Sequence, residues 1–242
     1  MSAPASSTTA SSRKGYRNRF DQPGKYLRGS LEWKQQFYYQ AKRKVTARAF
    51  VGYFLQNTER RRGVEPVAFA LNPQGFNDYR FDEVYFGRSD EQDFRSRQVS
   101  QTDGGFKNPF GSSFGGIIGN SNNYILALNL KADLPARLPW NLPLQPWLDV
   151  GYFDDATLIG ADRPANEQLL WSAGVMLEFF QGNLEIYFPL ANSKNLKERY
   201  CELSGGSNTS AIFCGGNYFK WISWSVNLGK LNPNRLLEDA LR

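Results

Sequence analysis

Hydrophobic and polar residues alternate along most of this chain, and residues 168–191, QLLWSAGVMLEFFQGNLEIYFPLA, show the alternation best. Leu169, Trp171, Ala173, Val175, Leu177 and Phe179 fall on one face, with Ser172, Gly174 and Glu178 on the other. After Gln181-Gly182-Asn183, Leu184, Ile186, Phe188 and Leu190 alternate with Glu185 and Tyr187. A period of two is the signature of a β-strand, and Gly-Asn between two such runs signals a hairpin. The same alternation predicts strands at about 30–40, 44–56, 78–87, 94–101, 122–132, 146–155 and 217–229, nine with the hairpin. In 122–132, Tyr124, Leu126, Leu128 and Leu130 oppose Asn123, Ala127, Asn129 and Lys131. The proline-dense DLPARLPWNLPLQ cannot be sheet interior and is read as a turn.

Residues 1–28, rich in Ser, Thr and Ala and then basic, are expected to be a flexible segment. Residues 29–230 form the β domain and 231–242 a tail. MSAPASSTTASS has no apolar stretch of a secretory leader; it reads as a linker, a cloning scar or a cut inside a longer protein. The connections alternate between tight and long, as the turns and loops of outer-membrane barrels do. The fold class predicted is therefore all-β, an antiparallel transmembrane β-barrel with about 8–10 visible strands. The hairpin's apolar face would meet lipid, and its polar face would line a wet lumen with Arg48, Lys131, Asp149, Glu178 and Glu185. Single-chain barrels have even strand numbers, so nine implies a miscount or strands upstream.

Composition narrows the ways of meeting a membrane. Aromatics make up 15% of residues while mean hydropathy is −0.52, a pairing that suits alternating strands. No apolar run approaches the ~18–20 residues of a spanning helix. Net charge is +6, but residues 1–62 hold 14 Lys/Arg against 3 Asp/Glu, and the remainder 15 against 20. The basic end suits solvated loops, anionic headgroups or lipopolysaccharide phosphates. Trp33, Tyr38, Tyr53, Trp171, Tyr218 and Trp224 read as interfacial girdles rather than base-stacking platforms, and no nucleic acid is expected.

The candidate chemistry is sparse. The chain has no histidine, which removes zinc-peptidase sites and histidine-dependent triads. Gly115-Gly116-Ile117-Ile118-Gly119 lacks the Gly-Lys-Ser/Thr ending of a phosphate loop. Asp154 and Asp155 are neighbours on a strand end, so they point apart. Cys201 and Cys214 form a disulfide in an oxidising compartment or remain two thiols. No catalytic residue, metal or cofactor is expected.

QVSQTDGGFKNPF, NNYILALNLKADLP, PWLDVGYF, the hairpin, and YFKWISWSVNLGKLNP, taken in order over residues 75–235, resemble the C-terminal outer-membrane barrel of aminopeptidase-N-like metallopeptidases of Gram-negative bacteria. That barrel is similar to the bacterial surface antigen superfamily of outer-membrane assembly and two-partner secretion. The resemblance implies the later part of a 16-stranded barrel, located in the outer membrane, completed by upstream strands or a partner chain. Its role would be a non-catalytic membrane anchor or pore-like barrel. An assembly or secretion barrel is one alternative, and a soluble β-barrel binding an apolar ligand another. In the superfamily a loop motif folds into the barrel and its arginine meets an inner-wall Asp-x-Gly. Here the matching positions are Gly104, Gly105, Phe106 and Lys107 in the loop, and Asp149 and Gly151 on the wall. Glycine stands where the loop arginine belongs, with Lys107 the nearest cation.

Overall fold

The computed structural model describes residues 5–17, 23–40, 43–57, 68–72, 86, 94–108, 119–134, 143–154, 168–204 and 218–227. Ten strands are present among them: β1 (Ala5–Arg17), β2 (Pro23–Gln40), β3 (Arg43–Asn57), β4 (Phe69–Ala70), β5 (Asn120–Ser121), β6 (Tyr124–Ala132), β7 (Leu144–Phe153), β8 (Leu169–Phe179), β9 (Leu184–Asn192) and β10 (Ser223–Val226). One α-helix, α1 (Lys194–Ser204), follows β9. Eight strands form one sheet in the order β1-β2-β3-β6-β7-β8-β9-β10, and β4 pairs with β5 apart from it. Every neighbouring pair in the large sheet is antiparallel.

The sheet curls but does not close: its edges stay 18 Å apart. This corrects the transmembrane barrel expected from the alternation. Alternation fixes which side chains share a face; it carries no information on whether the first and last strands meet. Part of the reason lies at β10. Its outer edge is occupied by the chain's own residues Gln98 and Val99, with a parallel bridge from Gln98 to Trp224 and a 2.8 Å bond from the Val99 amide to the Trp224 carbonyl.

The two faces of the sheet differ sharply. One convex row runs Leu31, Val51, Leu126, Tyr152, Leu169, and the next Trp33, Ala49, Leu128, Val150, Trp171. All five members of the first row are exposed, between 40% and 52%. The concave side holds the core. Tyr26, Phe50, Phe54, Phe69, Leu71, Phe106, Ile125, Phe153 and Leu170 form one buried cluster, with edge-on ring contacts among Phe50, Phe54 and Phe69. Trp147, Met176, Tyr187 and Val99 form a second.

Several local expectations change. Residues 5–17, inside the segment read as flexible, form β1. The 94–101 strand is instead a 3₁₀ turn (Arg95–Arg97) leading into an extended segment. The 217–229 strand is shortened to β10 behind a second 3₁₀ turn, Tyr218–Trp221. The hairpin turn is made by Phe180–Gly182, with Phe180 and Gly182 both at positive φ. The loop after β9 contains α1, which has little apolar periodicity to announce it. The strand at 78–87, apart from Phe86, and the tail 231–242 lie outside the described residues. So do the glycine run 115–118 and Asp155. Among the described residues no helix is long and apolar enough to cross a membrane.

Candidate functional site

The concave face carries one polar row across six strands: Lys34, Arg48, Asn129, Asp149, Ser172 and Asn192. Above it the face is apolar on β3, β6, β7 and β8, from Phe50, Ala127, Gly151 and Leu170 upward, with Glu32 and Arg28 on β2 opposite Phe50 and Phe54. The segment Gln98–Asn108, extended at Gln98–Val99 and turning at Thr102–Gly105, where the Gly105 amide donates to the Thr102 carbonyl at 2.9 Å and Asp103 and Gly105 have positive φ, crosses the concave face at this boundary and is called the strap.

The row reads the strap's backbone. Arg48 donates to the Asp103 carbonyl at 2.7 Å while bonding Asn129 Oδ1 at 2.8 Å and Glu32 at 2.5 Å. Asn129 Nδ2 donates to the Gly104 carbonyl at 3.0 Å and to Asp149 Oδ1 at 2.9 Å. Ser223 on β10 donates to the Lys107 carbonyl. From the apolar side, the Ala70 carbonyl accepts from the Gly104 amide at 3.0 Å, and the Leu71 carbonyl from the Phe106 amide at 2.8 Å. Side-chain anchors complete the seat. Asn108 donates to Ser172 and, at 2.8 Å, to Asn192. Lys107 pairs with Asp149, and its ammonium lies 5.2 Å from the Trp147 ring centroid.

All six positions singled out in the sequence, Gly104, Gly105, Phe106, Lys107, Asp149 and Gly151, meet here. The glycines are needed for space. A Cβ on Gly104 would run into the Leu71 backbone, and one on Gly105 would lie 2.6 Å from the Arg48 guanidinium. Gly105 also has φ +61°, which side chains rarely adopt. A Cβ on Gly151 would lie 2.5 Å from Leu71 and 2.9 Å from Phe106, so this glycine makes the notch into which both fit.

A second polar centre lies beside it. Lys131 bridges Glu178 at 3.1 Å and Glu185 at 2.9 Å. Glu185 also accepts from Tyr187 at 2.5 Å and from the strap's Gln101. Burial pushes the Glu185 carboxyl up, but the Lys131 charge and the bonds from Tyr187 and Lys131 outweigh it and leave it below its ordinary value. Burial lowers the Lys131 ammonium, and the two carboxylates more than reverse this. Burial and the neighbouring Glu185 charge hold the Tyr187 hydroxyl protonated far above its usual range.

Other partners were not singled out. Asn108, Leu71, Gln101 and Ser223 meet the site through contacts between distant parts of the chain, which leave no local pattern. Asn129 had a signal: a polar residue between Leu128 and Leu130 must face inward. Cys201 is buried and disulfide-bonded, against Trp221 and Tyr218; Cys214 lies outside the described residues. Among the described residues no group of three potential metal ligands comes together.

Comparison of the chain with protein-family models, curated proteins and solved structures returned no match. No match therefore carries the resemblance to the metallopeptidase barrel or the surface antigen superfamily, and the open sheet departs from both. The corrections extend to location and partners. Hydrocarbon cannot satisfy the free backbone groups of an open edge, so membrane sheets close. The open sheet is not the closed membrane-spanning barrel from which the outer-membrane location, the anchor or pore role, and the bilayer, lipopolysaccharide and barrel-completing chain as partners were expected, and nothing among the described residues supports them. Buried ion pairs and aromatic clusters fill the space where a lumen was expected.

Proposed function

We propose that this chain is a non-catalytic binding module that takes an apolar ligand on its convex face. The supporting observation is the character of that face. From Val45 to Leu190 the outward positions of β3, β6, β7, β8 and β9 include no charged residue, Arg43 standing at the start of β3. Taking about 200 Å² for a large side chain, the exposed fractions of Leu31, Val51, Tyr53, Leu55, Leu126, Leu128, Tyr152, Leu169, Trp171 and Leu190 amount to roughly 1,000 Å². The largest apolar patch on a typical monomer is about 300–600 Å². The apolar ligand expected from the sequence was to lie inside, but Leu71, Phe106 and Phe153 occupy that side.

Two features define the ligand's chemistry. Backbone donors and acceptors here are used between strands, so the face offers almost nothing polar to recognise. Its curvature limits contact with a rigid flat partner and favours flexible aliphatic chains. On the concave side Arg48 pairs with Glu32, Lys107 with Asp149, and Lys131 with Glu178 and Glu185, which supports a binding role rather than a catalytic one.

Titration calorimetry with a single-chain alkyl amphiphile below its micelle concentration tests this. The wild-type chain is expected to bind, and a Leu126→Glu, Leu128→Glu double variant to lose about tenfold or more, each removed side chain contributing about 1.5–3 kcal/mol when fully covered. Undiminished binding by a folded double variant would overturn the reading.

A further inference from the structure

We propose that the ligand of the convex face is a long-chain alkyl carboxylate, with its head on Arg43 and its chain lying along β3. The proposal rests on the apolar-ligand reading of that face and adds the ligand's charge and position.

Arg43 opens the outward side of β3, and no outward position after it on that strand is charged. Ala47 and Ala49 follow, between Gln35 and Trp33 of β2 and Leu130 and Leu128 of β6. Ala47 is buried although it faces outward, so the larger side chains on both sides stand above it. From Arg43 to Ala49 this shallow trough runs about 20 Å, at ~3.3 Å per residue. A flexible chain fits along it.

The residue at the trough's end decides the head. Arg43 donates to the Leu134 carbonyl, and Tyr39 to the neighbouring Asp133 carbonyl. A guanidinium carries five N–H donors, and among the described residues Arg43 has no carboxylate within ion-pair distance. Asp133 is engaged elsewhere. Its oxygens accept from the Lys44 amide and from Gln145, each at 2.8 Å. An alkyl chain laid in the trough takes water away from the Arg43 charge. A neutral or cationic head leaves that charge without a partner, whereas a carboxylate meets its free donors in a two-bond fork. The far end of β2 also carries a cation, Lys25, opposite Lys14. The trough does not reach it, because the large, exposed Tyr53 and Leu55 stand on β3 there.

Titration calorimetry with dodecanoate, dodecyl maltoside and dodecyltrimethylammonium compares three heads on one chain. Each is used below its micelle concentration, at about pH 8, where the carboxylate is ionised. The wild type is expected to bind dodecanoate at least about tenfold more tightly than the other two, as hydrogen bonds to a charged group allow. Added salt should shrink that preference. Arg43→Gln is expected to lose the preference while still binding dodecyl maltoside. Arg43→Lys, which keeps the charge without the fork, should keep part of it. Equal binding of the three heads by the wild type would overturn the proposal and leave the apolar-ligand reading standing. A preference that survives Arg43→Gln would also overturn it, and its loss in Lys25→Gln instead would put the head at the other end. If Arg43→Gln does not fold, an undiminished preference in Arg43→Lys counts the same way. Binding of none of the three would overturn both readings.

Discussion

Lys107 binds Asp149 through two different groups. Its backbone amide donates to Oδ2 at 2.9 Å, and its ammonium pairs with Oδ1 at 2.6 Å. Asp149 is wholly buried and Lys107 nearly so. The pair fixes both the strap's path and its side-chain anchor on one carboxylate.

Removing that carboxylate leaves a buried ammonium and a buried amide unpaired. Asp149→Ala is expected to destabilise the chain by about 3–5 kcal/mol in urea unfolding. Replacing both partners, in Asp149→Leu with Lys107→Met, removes the stranded charge and should recover much of the loss. A double variant as unstable as the two single variants combined would show that the residues do not act as a pair.

Gly151 tests the notch. Gly151→Ala places a methyl against Leu71 and Phe106, and overpacking of this kind costs about 1–3 kcal/mol. Adding Leu71→Ala makes room, so the double variant should be less damaged than Leu71→Ala and Gly151→Ala summed. Strict additivity, read from midpoints of thermal or urea unfolding, would place the strain elsewhere.

Those two sites also mark what the sequence makes legible. The alternation in Leu126, Leu128, Leu130 and in Leu169, Trp171, Ala173 orients six strands correctly, because a pleat admits two faces only. It leaves open what each face meets. Apolar residues outside and Asp149, Glu185 and Arg48 inside fit a water-filled lumen or a strap-filled concavity equally well. Closure depends on the approach of two edges far apart in sequence. Asp149 and Lys107 were picked out as a motif, whereas Leu71 and Asn108 carry no mark until the strap is seen in place. The strap itself was misread in part, since Phe94 to Gln101 alternates weakly and contains a 3₁₀ turn.

Acid should loosen the contacts that Glu185 makes with Lys131 and that Glu32 makes with Arg48. The folded Glu185 and Glu32 carboxyls lie below their ordinary value of 4.5. Their contribution is fully present above that value and is lost as pH falls through the lowered folded values. Lys131 lies above 10.5, so its contribution holds below that pH and disappears as pH rises through the raised value. Urea unfolding from pH 7 down to about 3 should show a falling stability limb, flatter in Glu185→Gln. An identical acid limb in that variant would show that Glu185 is not responsible.

Tyr187 links the same centre to β10. Its hydroxyl donates to Glu185 at 2.5 Å, contacts Ser225 Oγ at 2.8 Å and accepts from Gln101 at 3.1 Å. Tyr187→Phe keeps the ring against Trp147 but withdraws all three bonds in a fully buried place. The expected cost is about 1–3 kcal/mol, from the groups left without partners. A second consequence has a definite sign. Tyr187 helps hold the Glu185 carboxyl down, so the variant's carboxyl should titrate closer to its ordinary value. The acid limb of Tyr187→Phe should therefore be flatter than the wild type's, in the same sense as that of Glu185→Gln, beneath the loss at neutral pH. A variant that is less stable at pH 7 yet keeps the wild-type slope of stability against pH would mean that the hydroxyl only fills space and does not stabilise the charged carboxylate.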